Sequence, residues 1–339
     1  MTDKYYLDYA VHPGEYIAEL LETYNMPQAE LASRMYVSTK HLNQIIKGKA
    51  NITSLTALAL EAVLDRSAQY WLSLQAKFDE FTAREEQAAS LLSQKDWILS
   101  FDYLDLTKRG YVPPAKDLVQ KGLHLLRFFQ VASVNAWEDV WFNHMQGTFG
   151  GSDAHTNTDP NRKTYAEWTA WIRIGQLLAE KTVSDYPVFH AQKLRRIVPS
   201  LRSLTYIADP QEIMNKVNKQ LKDAGVWVQY VQPMKGMLMN SASFMARSGQ
   251  VACIQFSSPA STGDHFFVSL FHEISHLLSK GKSHGFLIGS TNKEDEKNTS
   301  DGFAVDLLIP PDDLSDGYVK SRCTAKEFGW GSPSGKEVW

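Results

Sequence analysis

Along residues 1–90 apolar side chains recur at three- and four-residue intervals in short bursts separated by prolines and small polar residues. Pro13 stands where a missing N–H costs nothing, and Ile17, Leu20 and Leu21 share one face of a helix over residues 15–22. Pro27 precedes a second helix with Leu31, Ala32 and Met35 inward. Val37 and Ser38 separate it from a third, with Leu42, Ile45 and Ile46 inward, that Gly48 ends. Leu55, Leu58, Ala59, Ala62 and Val63 predict a fourth helix, and Ser67 caps a fifth that buries Tyr70, Trp71, Leu74 and Phe78. The charged, alanine-rich run from Ala83 to Gln94 either continues that helix or links it to the next module.

Residues 96–199 alternate aromatic-rich helical stretches with a loop over 149–160, dense in Gly, Asp and Asn. Trp137 and Trp141, and Trp168 and Trp171, stand at helical spacing and predict core packing rather than a ligand box. From Gly225 the pattern becomes that of strands: residues 226–232 and 251–256 are β-branched and aromatic runs of strand length. A helix over 266–278 comes next, and another over 299–308 stops at Pro310 and Pro311.

Composition narrows the classes. At about 100–200 residues per domain, 339 residues make two or three domains, and 43% hydrophobic content excludes global disorder. The formal charge of −3 excludes a polycation that coats nucleic acid, so any such contact is local. Two cysteines, Cys253 and Cys323, supply neither a disulfide framework nor a cysteine-based zinc site. No uncharged apolar run reaches membrane-spanning length, and a soluble cytoplasmic protein without a membrane partner is expected.

The second and third helices have the spacing of a helix-turn-helix. Ser38, Thr39, Lys40, His41, Asn43, Gln44 and Lys47 offer polar and cationic groups to base edges, while Leu42, Ile45 and Ile46 face the bundle. Residues 1–90 hold 8 Lys/Arg against 12 Asp/Glu, yet Leu31 to Leu60 contains Arg34, Lys40, Lys47 and Lys49 and no acid. The positive face thus falls where phosphates would lie. A bundle of short helices that binds only protein is the alternative reading. The segments His12–Ile17, Met26–Ala32, Val37–Asn43, Ile46–Ala50, Ile52–Thr53 and Gln69–Leu72 resemble the XRE-type helix-turn-helix of HigA-like antitoxins over about residues 10–80. That resemblance implies that Gln28 contacts a backbone phosphate and that the start of the third helix reads bases. The turn position usually held by Gly in that family is Tyr36 here.

His272-Glu273-Ile-Ser-His276 is an HExxH motif on an apolar helix. One turn apart, His272 and His276 can grip one Zn²⁺, with Glu273 as general base for a water that the ion acidifies to a pKa of ~7. Lys282 stands where the metzincin form needs a third histidine. Residues 264–278, followed by 301–310, resemble an ImmA/IrrE-type zinc peptidase, with weaker likeness back to about residue 100. Members of that family carry ExxxD, the Glu on zinc and the Asp bonded to a ligand histidine. Asp301 matches the Asp, but position 297 is Lys, which has no lone pair when charged. Glu296 is the expected third ligand, with Glu294 and His284 as alternatives. Otherwise the site lacks one protein ligand and the fold serves ligand sensing.

The expected architecture is multidomain and mainly α. It comprises an N-terminal helix-turn-helix bundle (1–90), a helical middle (91–200) and a C-terminal α+β zincin-like peptidase domain with a small sheet (201–339). The expected function is a homodimeric regulator of a double-stranded DNA operator whose zinc peptidase domain tunes it or cleaves a repressor, toxin or other protein. A zinc protease with a substrate-docking bundle, and a toxin-binding antitoxin with a degenerate peptidase fold, are the alternatives.

Overall fold

Pro13 brings the fixed φ suited to a first helical position, and His12 caps it, its Nδ1 accepting the Gly14 N–H at 2.9 Å. Helix α1 (Pro13–Thr23) begins there. The computed structural model describes residues 10–142, 162–237, 241–246, 249–258, 263–280 and 286–288. The chain divides into two units, Met1–Ser93 and Gln94–Trp339.

In the first unit α2 (Gln28–Arg34), α3 (Thr39–Ile46), α4 (Ser54–Leu64) and α5 (Ala68–Ser93) complete a bundle. Ser38 and Thr53 cap α3 and α4, and the Ser67 hydroxyl accepts the Tyr70 N–H at the head of α5. Ile17, Leu31, Leu42, Ile45, Leu60 and Trp71 are fully buried in one core, each contributing about 1.5–3 kcal/mol of apolar burial. A Cβ at Gly14 would stand 2.4 Å from the Ile46 carbonyl oxygen, so the glycine lets α1 meet the end of α3 at backbone contact. The charged run after Ala83 continues α5 as helix.

The fourth helix does not bury the face expected of it. Thr56, Ala57, Leu60 and Leu64 point inward, whereas Leu55 is 81% and Leu58 54% exposed. Ser-Leu-Thr-Ala-Leu-Ala-Leu-Glu-Ala-Val-Leu is apolar at nearly every position, so two stripes satisfy the same spacing, and tertiary packing selects the one carrying Leu60 and Leu64. Tyr70, expected inside, is 39% exposed.

The second unit opens with α6 (Lys95–Leu99), α7 (Tyr103–Lys108), α8 (Leu118–Phe129) and α9 (Val134–Trp137), the last continuing into a π-helical turn, Glu138–Phe142. Trp97, Phe101, Phe129 and Trp137 pack edge-to-face or tilted at 5.3–6.0 Å between ring centroids, so the aromatic spacing encodes core. After α10 (Arg162–Thr182) come α11 (Ala191–Leu201) and α12 (Pro210–Leu221), then β1 (Val226–Tyr230), β2 (Ser241–Ala246), β3 (Val251–Phe256), α13 (Gly263–Lys280) and β4 (Phe286–Ile288). The sheet order is β1-β3-β2-β4, with β1 parallel to β3 and the other pairs antiparallel.

Side-chain alternation gives the sheet two different faces. Val226, Val228, Ala252 and Ile254 join Leu194, Val198, Val217, Phe267, Phe271 and Ile274 in one core with α11, α12 and α13. On the other face the cross-strand neighbours Gln229 and Gln255 are bonded to each other at 3.0 Å and donate to the carbonyls of Gly175 and Trp171 on α10. Asn218 on α12 bonds both the N–H and the carbonyl of Val228, satisfying the outer edge of β1. The strands β2 and β4 were not legible in the sequence. The loop expected over 149–160 and the helix expected over 299–308 lie outside the described residues. Among the described residues no helix is long and apolar enough to cross a membrane.

Candidate nucleic-acid interface and candidate metal centre

Two backbone devices fix how α3 is presented. At its start the Ser38 hydroxyl accepts the His41 N–H at 3.1 Å. Before it, α2 closes with a paired turn: the Tyr36 N–H donates to the Ser33 carbonyl and the Val37 N–H to the Ala32 carbonyl. That arrangement requires a left-handed residue between the two helices, and Tyr36 adopts φ 55°. Val37 is thereby returned to the core.

Thr39, Lys40, Gln44 and Lys47 are exposed along α3, with Ser38 exposed at its cap. His41 and Asn43 are half-buried. Gln28, the first residue of α2, accepts from the Asn43 amide at 3.2 Å, so the head of α2 is tied to the middle of α3. All eight residues expected to face DNA therefore belong to α3, its cap or the adjoining start of α2. Arg34 is engaged by Glu30 one turn earlier and is not a free cation.

In the second unit α13 carries His272, Glu273 and His276 at 2%, 0% and 2% exposure. The two histidine Nε2 atoms face each other at 3.0 Å, with ring planes 80° apart. Two nitrogens bound to one zinc at ~2.0–2.1 Å and a tetrahedral angle stand about 3.3 Å apart, so the pair fits a shared ion. Among the described residues no group of three His, Cys, Asp or Glu side chains is placed to hold a metal. Glu296, Asp301, Glu294 and His284 lie outside the described residues.

Glu273 has partners that the sequence did not disclose. Register pairs Ser241 with Phe256 and Ser243 with Ile254, which places both serines on the sheet face packed by α13. The Ser241 hydroxyl donates to Glu273 Oε1 at 2.7 Å, and the Ser243 hydroxyl also bonds the carboxyl. Burial pushes the Glu273 carboxyl above the usual carboxylate range, against the downward pull of His272 and both hydroxyls. Its Oε2 is buried without a hydrogen-bond partner. The available signal was the alternation of Ser241 and Ser243 in a short run of small and apolar residues.

Comparison with known proteins bears on the first unit. The helix-turn-helix family model matches residues 17–71. Virulence-associated protein I of Dichelobacter nodosus is 33% identical over 79 residues, which span 23% of this chain and 73% of that protein. The uncharacterized HTH-type transcriptional regulator YddM of Escherichia coli is 35% identical over 63 residues, 19% of this chain and 67% of that one. Among solved structures, Pseudomonas aeruginosa antitoxin HigA with the higBA promoter is 32% identical, covering 23% of this chain and 86% of its own at a TM-score of 0.23. Through its first unit, this chain belongs to the helix-turn-helix family.

Proposed function

We propose that this protein is an antitoxin-like transcriptional regulator. Its first unit reads a double-stranded DNA operator as a homodimer, and its second unit is a zinc-dependent peptidase acting on a repressor, toxin or other protein. The observation that carries the first part is the exposed row of Lys40, Gln44 and Lys47 on a capped helix, in a family named for this motif. Amide groups such as Gln44 distinguish bases by paired hydrogen bonds, and lysines release counterions from phosphates. Two copies of α3 meet two half-sites about one turn of duplex apart.

The second part is supported by the facing Nε2 atoms of His272 and His276, which would hold the zinc. Bound there, the ion supplies Lewis-acid polarisation of a scissile carbonyl and an acidified water. The chain's own contribution is Glu273: Ser241 fixes Oε1, leaving Oε2 as the oxygen that takes up a proton. His272, Glu273 and His276 are themselves at most 2% exposed, which limits the bulk water that could compete.

The test has two arms on the full chain. Selection from a random duplex pool yields a preferred sequence, with binding that falls steeply with salt and is abolished by Lys40→Ala plus Gln44→Ala. Elemental analysis finds about one zinc per chain, lost in His272→Ala. A chain that selects no duplex removes the first part, and one that takes up no zinc removes the second.

A further inference from the structure

Four other helices among the described residues end in the same paired turn as α2, and the residues at their left-handed positions are Asn25, Gly48, Gly110 and Gln130. Glycine has no Cβ to clash there, and asparagine is the side chain that tolerates the conformation best. Tyr36 is the bulky exception, at φ 55°, where an aromatic residue is an outlier. Its ring is 99% exposed, so no packing among the described residues offsets either the backbone strain or the aromatic surface left in water. Both costs fall two residues ahead of Ser38, the cap of the helix whose exposed face carries Lys40, Gln44 and Lys47.

We infer that Tyr36 is a contact to the sugar–phosphate backbone of the duplex read by α3, a role that rests on the DNA-reading function proposed above. A helix fills a major groove ~12 Å wide. A residue on the turn that leads into it therefore stands over a phosphate ridge rather than over base edges. The phenol donates to a phosphate oxygen and the ring covers the adjacent deoxyribose, an amphipathic surface matched by an amphipathic side chain. The contact positions α3 and carries no sequence information, which distinguishes it from Gln44.

The probe is the duplex that the wild-type full chain enriches from a random-sequence pool. Tyr36→Gly removes ring, hydroxyl and strain together, and Tyr36→Phe removes the hydroxyl alone. The expected result is binding weakened about tenfold by Tyr36→Gly and about threefold by Tyr36→Phe, alike on preferred and scrambled duplexes. Tyr36→Gly at the same time melts at a higher temperature, because glycine suits the left-handed position. A neutral phenol displaces no counterion, so the salt slope of Tyr36→Gly stays that of wild type, whereas Lys40→Ala lowers it by about one. Wild-type affinity in both Tyr36 variants overturns the proposal and leaves the tyrosine to a protein partner. A wild-type chain that enriches no duplex overturns the DNA-reading function itself, and this contact with it.

Discussion

The two units hold their polar chemistry in opposite settings. In the bundle, Thr39, Lys40, Gln44 and Lys47 stand outside a finished apolar core, where water solvates them. In the sheet-bearing unit, His272, Glu273 and His276 are inside, on a helix whose Phe267, Leu270, Phe271 and Ile274 form part of the core. A surface set asks its scaffold only for position, so single changes there leave stability within about 0.5 kcal/mol. A buried set must be solvated by the protein: Ser241 and Ser243 do for the carboxyl what water does for Lys40. Site and fold are separable in the first unit and coupled in the second.

The largest effect that probes this contrast is Glu273→Gln. The amide is isosteric and its oxygen still accepts from Ser241, while a carboxyl whose charge burial disfavours is removed. Thermal unfolding of the full chain is therefore expected at the wild-type temperature or above it. On the proposed peptidase function, hydrolysis of a fluorogenic peptide library by the zinc-loaded chain is expected to fall about 10²–10⁴-fold. A variant that is unstable as well as inactive would mean that the charged carboxylate is a structural group, and that the buried site is built for the fold rather than for chemistry.

A second pair of changes sharpens the account of the bundle. Leu60 is fully buried and Leu55 is 81% exposed on the same helix. Leu60→Ala is expected to cost about 2–5 kcal/mol and Leu55→Ala within about 0.5 kcal/mol, read from denaturant midpoints of the full chain. Equal costs would show that Leu55 is covered in solution, for instance by the second copy of a homodimer.

The same pair explains what could be read in advance. In α3 the apolar residues are few and the rest strongly polar, so Leu42 and Ile45 could fall on only one face. In α4 apolar residues are everywhere, and nothing local distinguishes the stripe of Leu60 from that of Leu55. Strand β3 was legible because Val251-Ala-Cys-Ile-Gln-Phe256 is a β-branched and aromatic run of strand length. Strand β2 was not, because Ser-Ala-Ser-Phe-Met-Ala carries too little large apolar side chain to announce itself. The site divides likewise. His272, Glu273 and His276 are linked by helical period alone, whereas Ser241 reaches Glu273 through strand register across 32 residues, which no local pattern encodes. The left-handed turn was foreseeable from its place between two helices, but not that its tyrosine would stand exposed, clear of the other described residues.

The smallest effect concerns a polar group that belongs to neither setting. His12 is buried in the bundle, edge-on to Phe78 at 4.7 Å, and caps α1 only while Nδ1 keeps its lone pair. Burial lowers its pKa below the ordinary histidine value of about 6.5, against the opposing pull of Glu15 and Asp79. The folded state thus takes up this proton less readily than the unfolded chain does. The stability contributed by neutral His12 is complete above the unfolded value and is lost as the pH falls from there toward the folded one. Between about pH 7.5 and about pH 5 the melting temperature of the wild type is expected to fall. In His12→Asn, whose side chain caps without titrating, it falls by less. If the two proteins instead track each other across that range, the proton enters elsewhere, and the cap of α1 is held by the geometry of Pro13 rather than by the imidazole.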